Sequence, residues 1–109
     1  MNTTDNKNKD FNTLADLVRI WGRKRGINNP DKQAMKVVEE TSEIIREIVR
    51  GRYNSDELKD GIGDSLVTII VLCDILKIDP LECLSMAYGV IKERDGELID
   101  GTFVKSEDL

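Results

Sequence analysis

Acidic side chains recur along one predicted helix at the spacing of a helical turn. Glu40, Glu43 and Glu47 share an arc of about 60° with Lys36 when the segment is drawn as a helix. Like charges three or four residues apart repel each other by a few tenths of a kcal/mol when exposed, so this stripe does not stabilise the helix itself. It predicts a positive partner, either a bound cation or Lys36 and nearby arginines on a solvated face.

Two aspartates lie one turn apart on the next predicted helix. Asp60 and Asp64 share a face that continues into the apolar segment 66–72. Burying an unpaired carboxylate costs several kcal/mol, and a divalent cation held by oxygens removes that cost. Gly61 and Gly63 disfavour a helix and suggest that another backbone or a ligand comes close. In the alternative interpretation, Asp60 is a helix-start charge and Asp64 pairs with an arginine.

Both helices together offer four carboxylates across a short connection, which makes the helices antiparallel neighbours. The expected ligands of a cation between them are Glu40, Glu43, Asp60 and Asp64. Oxygen ligands without imidazole or thiolate favour Mg²⁺ or Mn²⁺ over zinc or copper. Magnesium commonly bridges carboxylates and substrate phosphates, so the pattern indicates phosphate chemistry without identifying the bond that breaks.

Composition excludes several other classes of function. The 109 residues contain no histidine, which removes His-based zinc sites and Ser-His triads, and two cysteines without the spacing of a metal finger. A net charge of −5 gives no basic face for duplex nucleic acid. The longest apolar stretch, Leu66 to Cys73, is far shorter than a membrane helix. We expect a soluble, cytoplasmic protein that contacts neither duplex nucleic acid nor membrane.

Apolar periodicity and capping residues predict the elements that position these carboxylates. We expect helices from Asp10 to about Trp21, from about Pro30 to Arg50, from Asn54 or Ser55 to about Leu76, and from Pro80 to near Gly96. The core face of the second predicted helix comprises Val37, Val38, Thr41, Ile44, Ile45, Ile48 and Val49. Asp100-Gly101 predicts a short hairpin within 98–105. The predicted fold is all-α, an antiparallel bundle of about four helices in one domain (10–109) after a disordered leader (1–9).

Further residues extend the pattern beyond the carboxylates. They are Trp21, Arg25-Gly26-Ile27, Gln33, Lys36, Glu39 to Glu43, Lys59 to Asp64, Ala87-Tyr88, Ile91-Lys92, Arg94 to Gly96, and Gly101 to Lys105. In this combination, over some four-fifths of its length, the chain resembles the all-α nucleotide pyrophosphohydrolases, specifically the small MazG-like proteins common in bacteriophages and Gram-positive bacteria.

The resemblance implies a magnesium site and assigns roles to individual residues. The family pattern is Glu-x-x-Glu on one helix and Glu-x-x-Asp on the next; Glu40, Glu43 and Asp64 match it. Its remaining glutamate falls on Gly61, and Asp60 is expected to replace it. Glu40 and Glu43 become the candidate catalytic residues that orient or deprotonate water. The implied phosphate ligands are Lys36, Lys92 and Arg94, and Trp21 is implied to stack on the base or to be a core residue.

The implied activity is Mg²⁺-dependent hydrolysis of a nucleoside triphosphate to the monophosphate and pyrophosphate. Family members assemble as dimers or tetramers, so a homo-oligomer is expected. The apolar segment 66–73 suits burial on more than one side. The alternative is a non-catalytic, oligomeric helical module that binds metal or nucleotide and has lost turnover with the displaced glutamate.

Overall fold

A computed structural model describes residues 9–109, so all of the predicted leader except Lys9 lies outside the described residues. The described chain forms helices α1 (Phe11–Lys24), α2 (Pro30–Val49), α3 (Asp56–Leu76) and α4 (Pro80–Ile91), strands β1 (Gly96–Ile99) and β2 (Thr102–Lys105), and a 3₁₀ turn (Ser106–Asp108). This confirms the all-α class with four helices and a C-terminal hairpin. The chain divides into two compact units, one ending at Ile78 and one covering Asp79–Leu109.

Each described α-helix begins at a side-chain cap that satisfies a backbone N–H of its first turn. The four caps are Asp10, Asn29, Ser55 and Asp79, which accept from the backbone nitrogens of Thr13 (2.7 Å), Lys32 (3.1 Å), Leu58 (3.0 Å) and Leu81 (2.9 Å). Pro30 and Pro80 follow two of them at the helix starts, where a missing N–H costs nothing. These short signals account for the accuracy of the predicted helix starts.

Helices α2 and α3 form an antiparallel pair in the first unit, joined by residues 50–55. At one end, the buried Glu47 carboxylate accepts from Ser55 Oγ (2.8 Å) and Arg52 (3.2 Å). Helix α1 packs along α3, and the guanidinium of Arg23 donates two hydrogen bonds to Asp74, at 2.9 and 2.7 Å. Phe11 at the start of α1 shares a pocket with Gly63, and Arg23 near its end binds Asp74, so α1 runs parallel to α3.

The predicted core face of α2 is only partly correct. Val37, Thr41 and Ile44 are half-buried, whereas the apolar residues further around the helix remain exposed: Val38, Ile45, Ile48 and Val49. The stripe spans about 140° on a helical wheel. Among the described helices of the first unit, α3 is the one that packs extensively on α2, and one helix cannot cover so wide a stripe.

In the second unit, α4 ends at Ile91, earlier than the predicted end near Gly96. The hairpin takes the intervening residues, because Gly96 pairs with Lys105 and the Asp95 carbonyl accepts from the Ser106 nitrogen at 2.9 Å. A Cβ at residue 96 would lie 2.2 Å from the Val104 carbonyl oxygen, so only glycine fits there.

The predicted hairpin turn is confirmed. Asp100 and Gly101 both have positive φ, 50° and 82°, as a two-residue turn of type I′ requires.

Within residues 9–109, no helix combines the length and apolar character that crossing a membrane requires.

Candidate functional site

Three of the predicted metal ligands, Glu40, Glu43 and Asp64, lie where α2 and α3 face each other. Glu40 is the most enclosed of those on α2, with a side chain only 15% exposed, and Glu43 is half-buried one turn further along. On α3, Asp64 is half-buried and Asp60 is exposed. The ammonium of Lys36 lies 4.0 Å from a Glu40 carboxylate oxygen, so one cation of the chain borders this group.

Electrostatic coupling joins these acids into one group, here called the carboxylate cluster (Glu40, Glu43, Asp60 and Asp64). Burial raises the pKa of Glu40; the charges of Glu43 and Asp64 raise it further, and Lys36 opposes them. Burial also raises the pKa of Asp64, with further contributions from Asp60 and Glu43. Because Glu43, Asp60 and Asp64 each disfavour ionisation of a neighbouring acid, the cluster has an excess of negative charge that a cation would neutralise.

The alternative interpretation of Asp64 as an arginine partner is wrong for the part of the chain that the structure describes. Within residues 9–109, neither Glu43, Asp60 nor Asp64 forms an ion pair. Arg52 instead pairs with Glu47 and Arg23 with Asp74, both outside the cluster. The negative charge of the cluster is therefore offset by Lys36 alone among these ion pairs, and Lys36 divides its contacts between Glu39 (3.4 Å) and Glu40.

The donor chemistry of the cluster fits a hard divalent cation, since every candidate ligand atom is a carboxylate oxygen. Among residues 9–109, however, no three acidic or thiol side chains converge into a ready-made metal site. Binding would require rotation of these side chains towards one another.

Asp60 lies on a different side of α3 from residue 61, the position at which the resembled family has a glutamate. A Cβ at Gly61 would lie 3.6 Å from Cγ1 of Ile44, so residue 61 faces α2 directly. Asp60 is turned by about 100° from that direction and is exposed. It lines a surface depression of α3 together with Asp56, Glu57 and Lys59. It contributes charge to the cluster from its rim.

A pocket of about 230 Å³ opens beside the cluster, and we call it the indole pocket because Trp21 lines it. Its polar lining consists of Gln33, Lys36, Glu40, Asp64 and Thr68, and its apolar lining of Trp21, Ile27 and Val67. The structure thus brings four of the predicted site residues together in one cavity, namely Trp21, Lys36, Glu40 and Asp64. Trp21 is 41% exposed and is not a core residue.

Two residues of this region received no role from the sequence. Gln33 is buried in the pocket wall, seven residues before Glu40 and therefore on the same face of α2. The Arg25 guanidinium lies over the Trp21 ring, 4.6 Å from its centroid. The spacings i,i+7 and i,i+4 are the signals that could have identified them.

Lys92 and Arg94, the other predicted phosphate ligands, belong to the second unit. Both are exposed just beyond the end of α4, and Arg94 lines a pocket of about 390 Å³ that also includes Lys105 and Ser106. Their role as phosphate ligands rests on the family resemblance. No protein-family model, curated protein or solved structure matches this chain.

Proposed function

We propose that this protein is a Mg²⁺-dependent nucleoside triphosphate pyrophosphohydrolase, which converts an NTP or dNTP and water to the nucleoside monophosphate and pyrophosphate. The observation that carries the proposal is the carboxylate cluster, formed by two antiparallel helices next to the indole pocket. The cluster offers oxygen ligands for Mg²⁺, and the pocket offers an aromatic surface and a lysine for a phosphorylated ligand.

Within this proposal, Glu40, Glu43, Asp60 and Asp64 hold the cation. These residues would hold Mg²⁺, which would supply activation of water and charge neutralisation at the phosphate oxygens. Glu43 or Glu40 would orient the attacking water and accept its proton. Lys36 donates hydrogen bonds to phosphate oxygens from the rim of the pocket, where its side chain is half exposed.

Product analysis tests the reaction. The full chain is incubated with Mg²⁺ and a panel of ribo- and deoxyribonucleoside triphosphates, and the products are separated by anion exchange. We expect pyrophosphate and the monophosphate. Glu43→Gln should lower kcat at least 10²-fold, in the range found for removal of a general base, whereas Glu39→Gln on the exposed side of the same helix should retain most activity. Release of orthophosphate would contradict the proposed chemistry. A protein inert towards every nucleotide would favour the binding module.

We further propose that two copies associate through α2. Its exposed residues Met35, Val38, Ser42, Ile45 and Val49 alternate in spacing between three and four residues, which is typical of a coiled-coil seam. The four apolar members are 61–79% exposed. This stripe lies on the side of α2 opposite Glu40 and Glu43, so a second copy would cover it without closing the indole pocket.

We assign the protein to the cytoplasm. Within residues 9–109, Cys73 and Cys83 form no disulfide; Cys73 is half-buried and Cys83 is exposed. A reducing compartment keeps cysteines in this state.

A further inference from the structure

The side-chain amide of Gln33 has a hydrogen-bond partner for its nitrogen but, within residues 9–109, none for its oxygen. Its Nε2 donates to the Thr68 carbonyl oxygen at 3.2 Å, and the residue is only 8% exposed. Because a carbonyl can only accept, this bond fixes the orientation of the amide, and Oε1 is the remaining atom. Within residues 9–109, Oε1 accepts no hydrogen bond. Buried polar atoms are almost always paired, so this acceptor requires a donor from outside the described chain.

The open acceptor shares the indole pocket with an aromatic ring. Trp21 is the chain's only tryptophan, and nearly half of it is exposed. The Arg25 guanidinium covers one face of this indole, so a planar π system would stack on the other face. An amide oxygen beside it selects a ligand whose edge carries an N–H group. The two features together fit a planar heterocycle with an N–H donor.

The indole pocket extends along α2, from Gln33 at one end to Lys36 and Glu40 at the other. Gln33, Lys36 and Glu40 follow one another on the same side of the helix. At 1.5 Å per residue, Gln33 and Glu40 are separated by about 10 Å along the axis. A heterocycle at Gln33 would therefore place a charged substituent towards Lys36 and the carboxylate cluster.

We propose that Gln33 recognises the nucleobase: its Oε1 accepts a hydrogen bond from an N–H on the base edge while Trp21 stacks on the ring. The assignment rests on the proposed function, because that function supplies the nucleotide. Gln33 is then a specificity-determining residue, and it discriminates against bases whose edge donor is blocked. An unpaired buried acceptor costs about 1–3 kcal/mol, which corresponds to roughly a 5- to 150-fold loss of affinity.

The single tryptophan makes the test direct, because its fluorescence reports only from this pocket. Nucleoside monophosphates are titrated into the full chain without metal, each beside an analogue methylated at its edge donor: N3-methyluridine, N4,N4-dimethylcytidine and N6,N6-dimethyladenosine monophosphates. Guanosine monophosphate, whose edge carries donors at N1 and N2, is compared with both its N1-methyl and its N2,N2-dimethyl analogue. We expect saturable quenching by at least one unmodified nucleotide and a roughly 5- to 150-fold higher Kd for its methylated partner. Gln33→Met, of similar length but without the amide, should bind both partners with similar Kd.

Each result decides the assignment independently of catalysis. Discrimination by the wild type that disappears in Gln33→Met supports it, even if no triphosphate is hydrolysed, in which case only the proposed function fails. Hydrolysis with unchanged discrimination in Gln33→Met overturns the assignment and leaves the function in place. Quenching by none of the nucleotides, or equal quenching by both partners, overturns it as well and leaves water as the partner of Oε1. If Gln33→Met loses its helical circular dichroism, the wild-type comparison of the paired ligands decides.

Discussion

The glutamate proposed to hold metal destabilises the metal-free protein at neutral pH. The raised pKa of Glu40 means that, between the usual carboxyl pKa of about 4 and the raised value, the folded state binds more protons than the unfolded state. The free energy of unfolding therefore falls as pH rises through this window. Asp64 acts in the same direction. The bond from Arg23 lowers the pKa of Asp74, so the stability from that pair is lost only below about pH 4.

Glu40→Gln should therefore raise the melting temperature in EDTA at neutral pH, because the amide removes the repulsion and keeps the shape. We expect a rise of a few degrees, since about 1 kcal/mol shifts the melting temperature of a domain this size by about 4–8 °C. The wild type should approach the variant as pH falls towards 4. Circular dichroism melts across this range measure the difference. The control is Glu93→Gln at an exposed position in the second unit, and a lower melting temperature for Glu40→Gln at neutral pH would contradict this account.

Magnesium should reverse the order of the melting temperatures of the wild type and Glu40→Gln. A ligand that binds only the folded state raises its stability by mass action, so Mg²⁺ should raise the wild-type melting temperature and have much less effect on Glu40→Gln. Protons compete for the same oxygens, and the effect of Mg²⁺ should disappear as pH falls through the same window. An equal response of both proteins to Mg²⁺ would remove Glu40 from the metal site.

The sequence predicted much of the carboxylate cluster because helical spacing alone places Glu40 beside Glu43 and Asp60 beside Asp64. It did not predict the open amide of Gln33. That feature depends on a bond to a carbonyl 35 residues away, on another helix. Local spacing places a residue on a face, but only the packing of two helices decides which of its atoms remains unpaired.

At the scale of elements, one hydroxyl both caps α3 and forms a hydrogen bond to α2. Ser55 Oγ accepts from Leu58 as the cap of α3 and donates to the buried carboxylate of Glu47 on α2. Ser55→Ala removes both bonds, so we expect a loss of about 2–4 kcal/mol, from about 1 for the cap and about 1–3 for the unsatisfied acceptor. Asn29→Ala removes only the cap of α2 and should cost about 1 kcal/mol. Urea denaturation measures both, and equal losses would show that the Glu47 bond contributes nothing.

Helix starts were predictable because caps and prolines lie next to the residues they affect. The end of α4 was not, because the hairpin pairing between Gly96 and Lys105 competes for the same residues across nine positions. The prediction of the core face of α2 was partly wrong for another reason. A helical wheel identifies apolar residues, but it does not reveal how many neighbours the chain provides to cover them.

At the scale of the whole molecule, the exposed stripe of α2 predicts self-association. Ile45→Arg places a charge in the middle of the proposed seam, and burying it against a second copy would cost several kcal/mol. We expect the wild type to elute as a dimer or larger species in size-exclusion chromatography with light scattering, and the variant as a monomer with unchanged helical content. Ile20→Arg on α1, where the isoleucine is 48% exposed, is the matched control. A monomeric wild type, or an Ile45→Arg oligomer, would contradict the seam.

The short connection between α2 and α3 also has a consequence for how fast the chain folds. Only residues 50–55 separate two helices that contact each other along their length, whereas the Arg23–Asp74 pair joins residues 51 positions apart. Contacts between near neighbours form with little loss of chain entropy, so the α2–α3 hairpin should be present in the folding transition state. Ser55→Ala should then slow refolding, whereas Asp74→Asn should mainly accelerate unfolding. Stopped-flow measurements on both variants would therefore distinguish the contacts of the first unit that form before the folding transition state from those that form after it.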